Sequence, residues 1–170
     1  PDGSVVNKTQ AGVITLDALI IGAGFSGLYQ LLSLRDKLGL KAKVVEAGDG
    51  VGGTWYWNRY PGARCDSESH SYSYYFDKEL LEEWQWSERY PGHAEVVRYL
   101  NYAADKLDLK RDIHFNSRVL SAHYSQSENR WIVKTEDGRE FVCTYLITAV
   151  GCLSSTNIPQ FPGHESFEGE

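Results

Sequence analysis

Asp17-Ala18-Leu19-Ile20-Ile21-Gly22-Ala23-Gly24-Phe25-Ser26-Gly27-Leu28 is the stretch that decides the fold of this 170-residue chain. Leu19 to Ile21 form a short aliphatic run with the composition of a buried strand. Leu28, Leu31, Leu32 and Leu34 recur at helical spacing and give the next segment one apolar face. The strand therefore hands over directly to a helix through three glycines. Gly22 permits the tight turn, Gly24 keeps side chains away from an approaching pyrophosphate, and Gly27 lets the helix lie close to the strand. Phe25 and Ser26 open the helix. Its first-turn amides, backed by the helix dipole, point at phosphate oxygens.

A GxGxxG pattern is weak alone, and its context makes it specific. A second aliphatic run, Ala42 to Val45, follows the helix and ends at Glu46, 19 residues after Gly27 (46 − 27 = 19). That is where a nucleotide-binding βαβ unit holds its acidic residue. A carboxylate there accepts both ribose hydroxyls and repels a 2′-phosphate, so this site suits FAD or NAD better than NADP. The plain alternative is a βα turn followed by a chance acidic strand end.

Outward from this unit, composition sets limits. The chain has 17 basic and 23 acidic side chains, a formal charge of −6, and no dense basic cluster. Nucleic acid and anionic membrane are therefore not expected partners. No apolar run approaches the roughly 20 residues needed to cross a bilayer, and no export pattern opens the chain, so a cytoplasmic location is expected. Cys65, Cys143 and Cys152 lack CxxC spacing and are read as reduced thiols. Residues 1–16 read as a loose polar arm and 17–170 as a single domain.

After Glu46, five glycines fall between Ala47 and Gly62, together with Trp55, Tyr56, Trp57 and Tyr60. A loop this long and this aromatic is expected to serve a site. Gly52 and Gly53 let the backbone pass close to a flat ligand, Trp55, Trp57 and Tyr60 wall it, and Arg64 and Asp66 supply charge. The bland alternative is an aromatic mini-core under a long loop.

Here the residues carry a resemblance. Gly52-Gly53-x-Trp55-x-x-x-x-Tyr60-Pro61-Gly62-x-x-x-Asp66 matches the pattern (A/G)GxWxxxx(F/Y)P(G/M)xxxD of the flavin-dependent Baeyer–Villiger monooxygenases. The run from Asp17 to Gly169 resembles the N-terminal FAD-binding portion of that family, most closely its phenylacetone, steroid and cyclohexanone monooxygenase branch. Phe167 and Gly169 fit the start of the family's second pattern, FxGxxxHxxxW(P/D). Its remaining positions, the second GxGxxG for NADPH and the catalytic arginine lie outside the sequence. The chain is therefore expected to be truncated before an NADPH-binding domain, which is an implied partner within the same enzyme.

The resemblance implies the fold class as well: an α/β, Rossmann-like FAD-binding domain with a parallel sheet, flanking helices and a three-stranded antiparallel β-meander. The residues agree with it. Asp77 is a good N-cap for a short helix, and Val96, Val97, Leu100, Ala103, Ala104 and Leu107 keep helical rhythm from His93 to Leu107. His93 is expected at the surface. Ser67 to Phe76 alternates as a strand does. Between Ile113 and Phe141 the period becomes alternating, with turns at Glu128-Asn129 and Asp137-Gly138. Tyr145 to Gly151 reads as a separate parallel strand returning to the nucleotide sheet.

By resemblance, the cofactor-binding set comprises Gly22, Gly24, Phe25, Ser26, Gly27, Glu46, Gly53, Thr54, Trp55, Tyr56, Trp57, Tyr60, Arg64, Cys65, Asp66, Tyr72, Val119, Ala149 and Gly151. Within it, Tyr72 lies beside the flavin, Val119 gives a main-chain contact to adenine, and Ala149 and Gly151 approach the flavin. Arg64 to Asp66 lie where NADP meets the flavin, and Asp66 supports the catalytic arginine by a charge-assisted pair. The implied reaction uses NADPH to reduce FAD and O2 to form a C4a-peroxyflavin, which converts a ketone to an ester or lactone. The aromatic wall would keep water off that intermediate. Two other readings stay open. One is an N- or S-oxygenating flavin monooxygenase or disulfide reductase, against which the missing CxxxxC and the Trp-rich block speak. The other is an isolated, non-catalytic FAD-binding module.

Overall fold

The computed structural model describes residues 12–169. Strand β1 (Ile14–Ile21) feeds α1 (Phe25–Leu32), which widens into a π-helical turn over Ser33–Lys37 before β2 (Ala42–Val45). Two short helices follow, α2 (Thr54–Trp57) and α3 (Lys78–Glu83), then the longer α4 (His93–Lys106). The chain closes with β3 (Ile113–His114), β4 (Val119–Ser125), β5 (Arg130–Thr135) and β6 (Glu140–Thr148). These six strands form one sheet in the order β3-β2-β1-β6-β5-β4. The β3, β2, β1 and β6 strands are parallel neighbours, and β6, β5 and β4 are antiparallel.

Sequence patterning explains most of these elements. Asp77 caps α3 by accepting from the Leu80 amide at 3.0 Å. The apolar stripes of α1 and α4 bury Leu28, Leu31, Val96, Leu100 and Ala103 against Ala18, Ile20 and Val44 of the sheet. A second, smaller cluster joins Leu16, Leu19 and Val45 to Val133, Phe141 and Cys143. Gly138, at φ +86, turns β5 into β6. Away from the glycine turn, Arg35 ties the end of the first helical segment to the β3 approach. It donates to the Leu107 and Asp108 carbonyls and pairs with Asp112 at 3.0 Å, whose other oxygen takes Lys43 at 2.5 Å.

Four expectations are corrected. β1 begins at Ile14, so Ile14 to Leu16 are strand and not arm; residues 1–11 lie outside the described part. The third meander strand and the returning strand are one element, β6. Phe141 pairs with Val133 of β5 on one side and Ile14 of β1 on the other, and the pairing with β1 continues to Thr148. Ser67 to Phe76 is a string of turns, held by the Ser71 and Ser73 hydroxyls on the Glu68 and Ser69 carbonyls. Its tyrosines alternate because Tyr72 and Tyr74 both pack on Phe25. His93 is half-buried, with a buried Nδ1 that has no partner among the described residues. No helix among the described residues is long and apolar enough to cross a membrane.

Candidate functional site

The C-terminal ends of β1, β2 and β6 converge on the glycine turn. Gly22 sits at φ +104 and donates to the Val45 carbonyl at 2.9 Å. A Cβ on Gly22 would stand 2.6 Å from the Ala149 carbonyl oxygen, and one on Gly27 would stand 1.8 Å from the Gly22 oxygen and 3.6 Å from Ala149 Cβ. Strand β6 therefore closes on the turn through Ala149, whose amide donates to Ile21 at 2.9 Å. Gly24 faces Gly53 back to back: a Cβ on Gly53, which lies at φ +53, would come within 2.9 Å of Gly24 Cα. Two glycine loops thus abut where side chains would hold them apart.

Helix α1 starts at Phe25 with Gly24 as its N-cap and no side chain capping it. Leu28 is the first residue to bond back, to Gly24 at 3.0 Å, so the amides before it have no helical carbonyl to reach. Glu46 is buried at 5% exposure, and both its oxygens are used. Oε2 accepts from the Ala23 amide at 2.7 Å and Oε1 from the Gly48 amide at 2.8 Å. An ionised carboxylate offers about four acceptor positions, which leaves about two for ligand hydroxyls. Ala23 also accepts from the Gly52 amide at 3.1 Å, so one residue joins the glycine turn, the acid and the aromatic loop.

Beside this cradle lies an aromatic cluster. The Trp55 indole N–H donates to the Tyr72 hydroxyl at 3.0 Å, with the rings edge-on at 5.8 Å. Tyr72 in turn meets Phe25 edge-on at 4.9 Å. Burial pushes the Tyr72 phenol up, against the opposing pull of the Trp55 bond, so it stays protonated and its own O–H is directed elsewhere than Trp55. Two residues that sequence reasoning passed over hold Phe25. The Tyr74 hydroxyl donates to the Phe25 carbonyl and the Tyr74 amide donates to the Tyr99 hydroxyl, both at 2.7 Å. Tyr99 occupies a helix-face position between Val96 and Ala103, and that spacing could have identified it.

The remaining expected residues are divided. Cys65 is buried, Thr54 and Tyr56 are half-buried, and Val119 opens β4 half-buried. The Tyr56 ring fills the space beside Gly48 and Gly50, and its hydroxyl bonds Asp49 at 2.5 Å. Trp57 and Tyr60 are not part of an enclosed wall, being 53% and 61% exposed. Arg64 is turned away onto Glu88 and the Tyr90 carbonyl. Asp66 and Ser26 are exposed, and Gly151 lies in the exposed segment after β6 at φ +75.

A parallel sheet, a glycine turn under an uncapped helix and a buried carboxylate at the next strand end define a nucleotide-binding domain of Rossmann type. Comparison agrees, since residues 20–83 match the NAD(P)-binding Rossmann-like domain family. The chain is 49% identical over 156 residues to acetone monooxygenase (methyl acetate-forming) of Gordonia sp. (strain TY-5), covering 92% of this chain and 29% of that protein. It is 46% identical to a Baeyer–Villiger monooxygenase of Pseudooceanicola batsensis, covering 90% of this chain and 28% of the relative. Phenazine N-monooxygenase PhzNO1 of Lysobacter antibioticus is also 46% identical, with 91% and 28% covered. The solved structure of OTEMO in complex with FAD and NADP superposes at a TM-score of 0.81 with 44% identity, over 91% of this chain and 29% of that one. The chain is thus a homologue of the Baeyer–Villiger monooxygenases and spans less than a third of the length of these relatives.

Proposed function

We propose that this chain is the FAD-binding part of an NADPH- and O2-dependent monooxygenase that converts ketones to esters or lactones. The overall reaction is ketone + O2 + NADPH + H+ → ester or lactone + NADP+ + H2O. The observation that carries this reading is the buried Glu46 carboxylate beneath an uncapped α1, next to the Trp55–Tyr72–Phe25 cluster. These residues fit a flavin dinucleotide. The first-turn amides of α1 would take the pyrophosphate, and the spare acceptor positions of Glu46 would take the ribose hydroxyls.

When bound, FAD would supply the electron transfer and oxygen chemistry. The chain's own residues bind, orient and exclude water. The abutting glycines Gly24 and Gly53 keep the loops close, and the aromatic cluster dries the neighbouring space. The Tyr72 O–H is a hydrogen-bond donor aimed away from Trp55. Asp66, exposed in this chain, would pair with an arginine contributed by the rest of the enzyme, and Arg64 would release Glu88 to meet NADP. The buried free thiols Cys65 and Cys143 support a reducing, cytosolic setting.

The equal identity to a protein named as a phenazine N-monooxygenase favours one second reading, oxygen transfer to a ring nitrogen. NADPH consumption by the full-length protein, measured with a ketone series and with phenazine, separates the two. Ketone-stimulated consumption with ester formation supports the first. Stimulation by phenazine alone supports the second, and stimulation by neither overturns both.

A further inference from the structure

We propose that Ser117, Asp137 and Arg139 form a strut that positions Glu46, and through it the adenosine half of the dinucleotide site. The inference rests on the FAD reading above. Glu46 closes β2, whereas Asp137 sits in the β5–β6 turn, and two strands, β1 and β6, separate β2 from β5 in the sheet. Sheet hydrogen bonds therefore cannot join them. The link is made across the site by the β3–β4 connection.

On one side of that connection, the Ser117 amide donates to the Glu46 carbonyl at 2.8 Å, and the Asn116 amide donates to the Gly48 carbonyl at 2.9 Å. The Glu46-to-Gly48 turn is thus held from outside by residues 116–117 and from inside by Ala23. On the other side, the Ser117 hydroxyl donates to Asp137 Oδ2 at 2.7 Å, and Arg139 donates to the same hydroxyl at 2.7 Å. Thr135 donates to Asp137 Oδ1 at 2.6 Å, and the Arg139 guanidinium completes the carboxylate's shell.

Ser117 is 1% exposed and Thr135 3%, and these two buried hydroxyls anchor the partly exposed Asp137 and Arg139 side chains in a mutually satisfied polar network. Burial alone would raise the Asp137 carboxyl, but the Thr135 and Ser117 hydroxyls and Arg139 outweigh it and hold the group below the usual range. A four-residue connection between two strands needs no ionic cluster. One that fixes the main chain of a ligand-binding carboxylate gains from it, because such a network has one low-energy arrangement. The same connection leads into Val119, so both contacts expected for adenosine move with the strut.

The test uses full-length apoprotein titrated with FAD, in the wild type, Asp137→Asn, Ser117→Ala, Glu46→Gln and the double variant Asp137→Asn/Glu46→Gln. Thermal unfolding run alongside reports folding. Asp137→Asn is expected to raise the FAD Kd about tenfold, and in the Glu46→Gln background to raise it much less, because both act through the same carboxylate. A merely structural role would lower Tm and add its full effect in the double variant. Should Asp137→Asn fail to fold, Ser117→Ala, which removes one hydroxyl, replaces it in the same cycle. Wild-type FAD affinity in both single variants, or full additivity with Glu46→Gln, overturns the strut alone. A wild-type protein that does not bind FAD overturns the FAD reading and the strut with it.

Discussion

Replacing Gly27 with alanine probes the close approach that shapes the phosphate turn. The new Cβ would lie 1.8 Å from the Gly22 carbonyl oxygen and 3.0 Å from its carbon. Real Cβ atoms essentially never come closer than 3.0 Å, so α1 and the turn must separate by about 1.2 Å (3.0 − 1.8). The atom met is backbone, so no side-chain rotation relieves the clash. Overpacking of this kind costs about 1–3 kcal/mol, against the roughly 1 kcal/mol that alanine gains over glycine inside a helix. Because the clash is with backbone it falls at the upper end of that range, and a net loss of up to about 2 kcal/mol is expected in urea unfolding. The effect extends to binding. The same displacement moves the first-turn amides of α1 off the pyrophosphate, so FAD affinity should fall by roughly tenfold, about 1.4 kcal/mol, in a fluorescence titration. Ser26→Ala, one position earlier on the exposed face, gains helix propensity without a clash and should keep its stability. A Gly27→Ala protein that is more stable than wild type and binds FAD equally well would refute the packing argument.

Other perturbations follow from the same contacts. Asp112→Asn removes the carboxylate shared by Arg35 and Lys43 and should cost about 1–3 kcal/mol near neutral pH, read by urea unfolding. Burial works against the Asp112 carboxylate, but Lys43 and Arg35 outweigh it and hold the pKa below its ordinary value. Its contribution is therefore present above the unfolded value of about 3.9 and is lost as pH falls through the folded value, where wild type and variant should converge. His114 behaves oppositely in charge. Burial, with Arg139 and Lys43 nearby, depresses its pKa, so stability should decline as pH drops through the unfolded value of about 6.5 toward the folded one. His114→Asn should flatten that decline in thermal unfolding across this window; an unchanged slope would contradict the assignment. Trp55→Phe removes the N–H given to Tyr72 and should weaken FAD binding severalfold while costing about 1–2 kcal/mol of stability, by titration and unfolding.

The phosphate turn was legible in the sequence because its chemistry is local. Gly22, Gly27 and Glu46 sit at spacings fixed by one βαβ unit, and the structure gives each a steric or hydrogen-bonding reason. Helix α4 was legible from its apolar rhythm, although Tyr99, its most useful side chain here, was hidden by its polar hydroxyl. β6 was split in two because its neighbours change along its length. Antiparallel β5 pairs with its first half only, while β1 runs beside it to the end, and a single-strand pattern carries no sign of that exchange. The Tyr72–Tyr74 alternation imitated a strand because two rings converge on Phe25 from consecutive turns. Arg64 and Asp66 were grouped by sequence adjacency, yet Arg64 binds Glu88, 24 residues away. The strut through Ser117 was invisible for the same reason: it joins β2, the β3–β4 connection and the β5–β6 turn, which only the folded sheet brings together.

In the function proposed above, the site built from Gly22 to Gly27 and Glu46 holds a flavin that NADPH reduces in the full-length enzyme. An anaerobic absorbance titration of the purified full-length protein with NADPH tests it most directly. A flavin band that bleaches on addition of NADPH, and that is weakened before any addition in Glu46→Gln, is the expected result. A wild-type protein with no flavin band after saturation with FAD would contradict it.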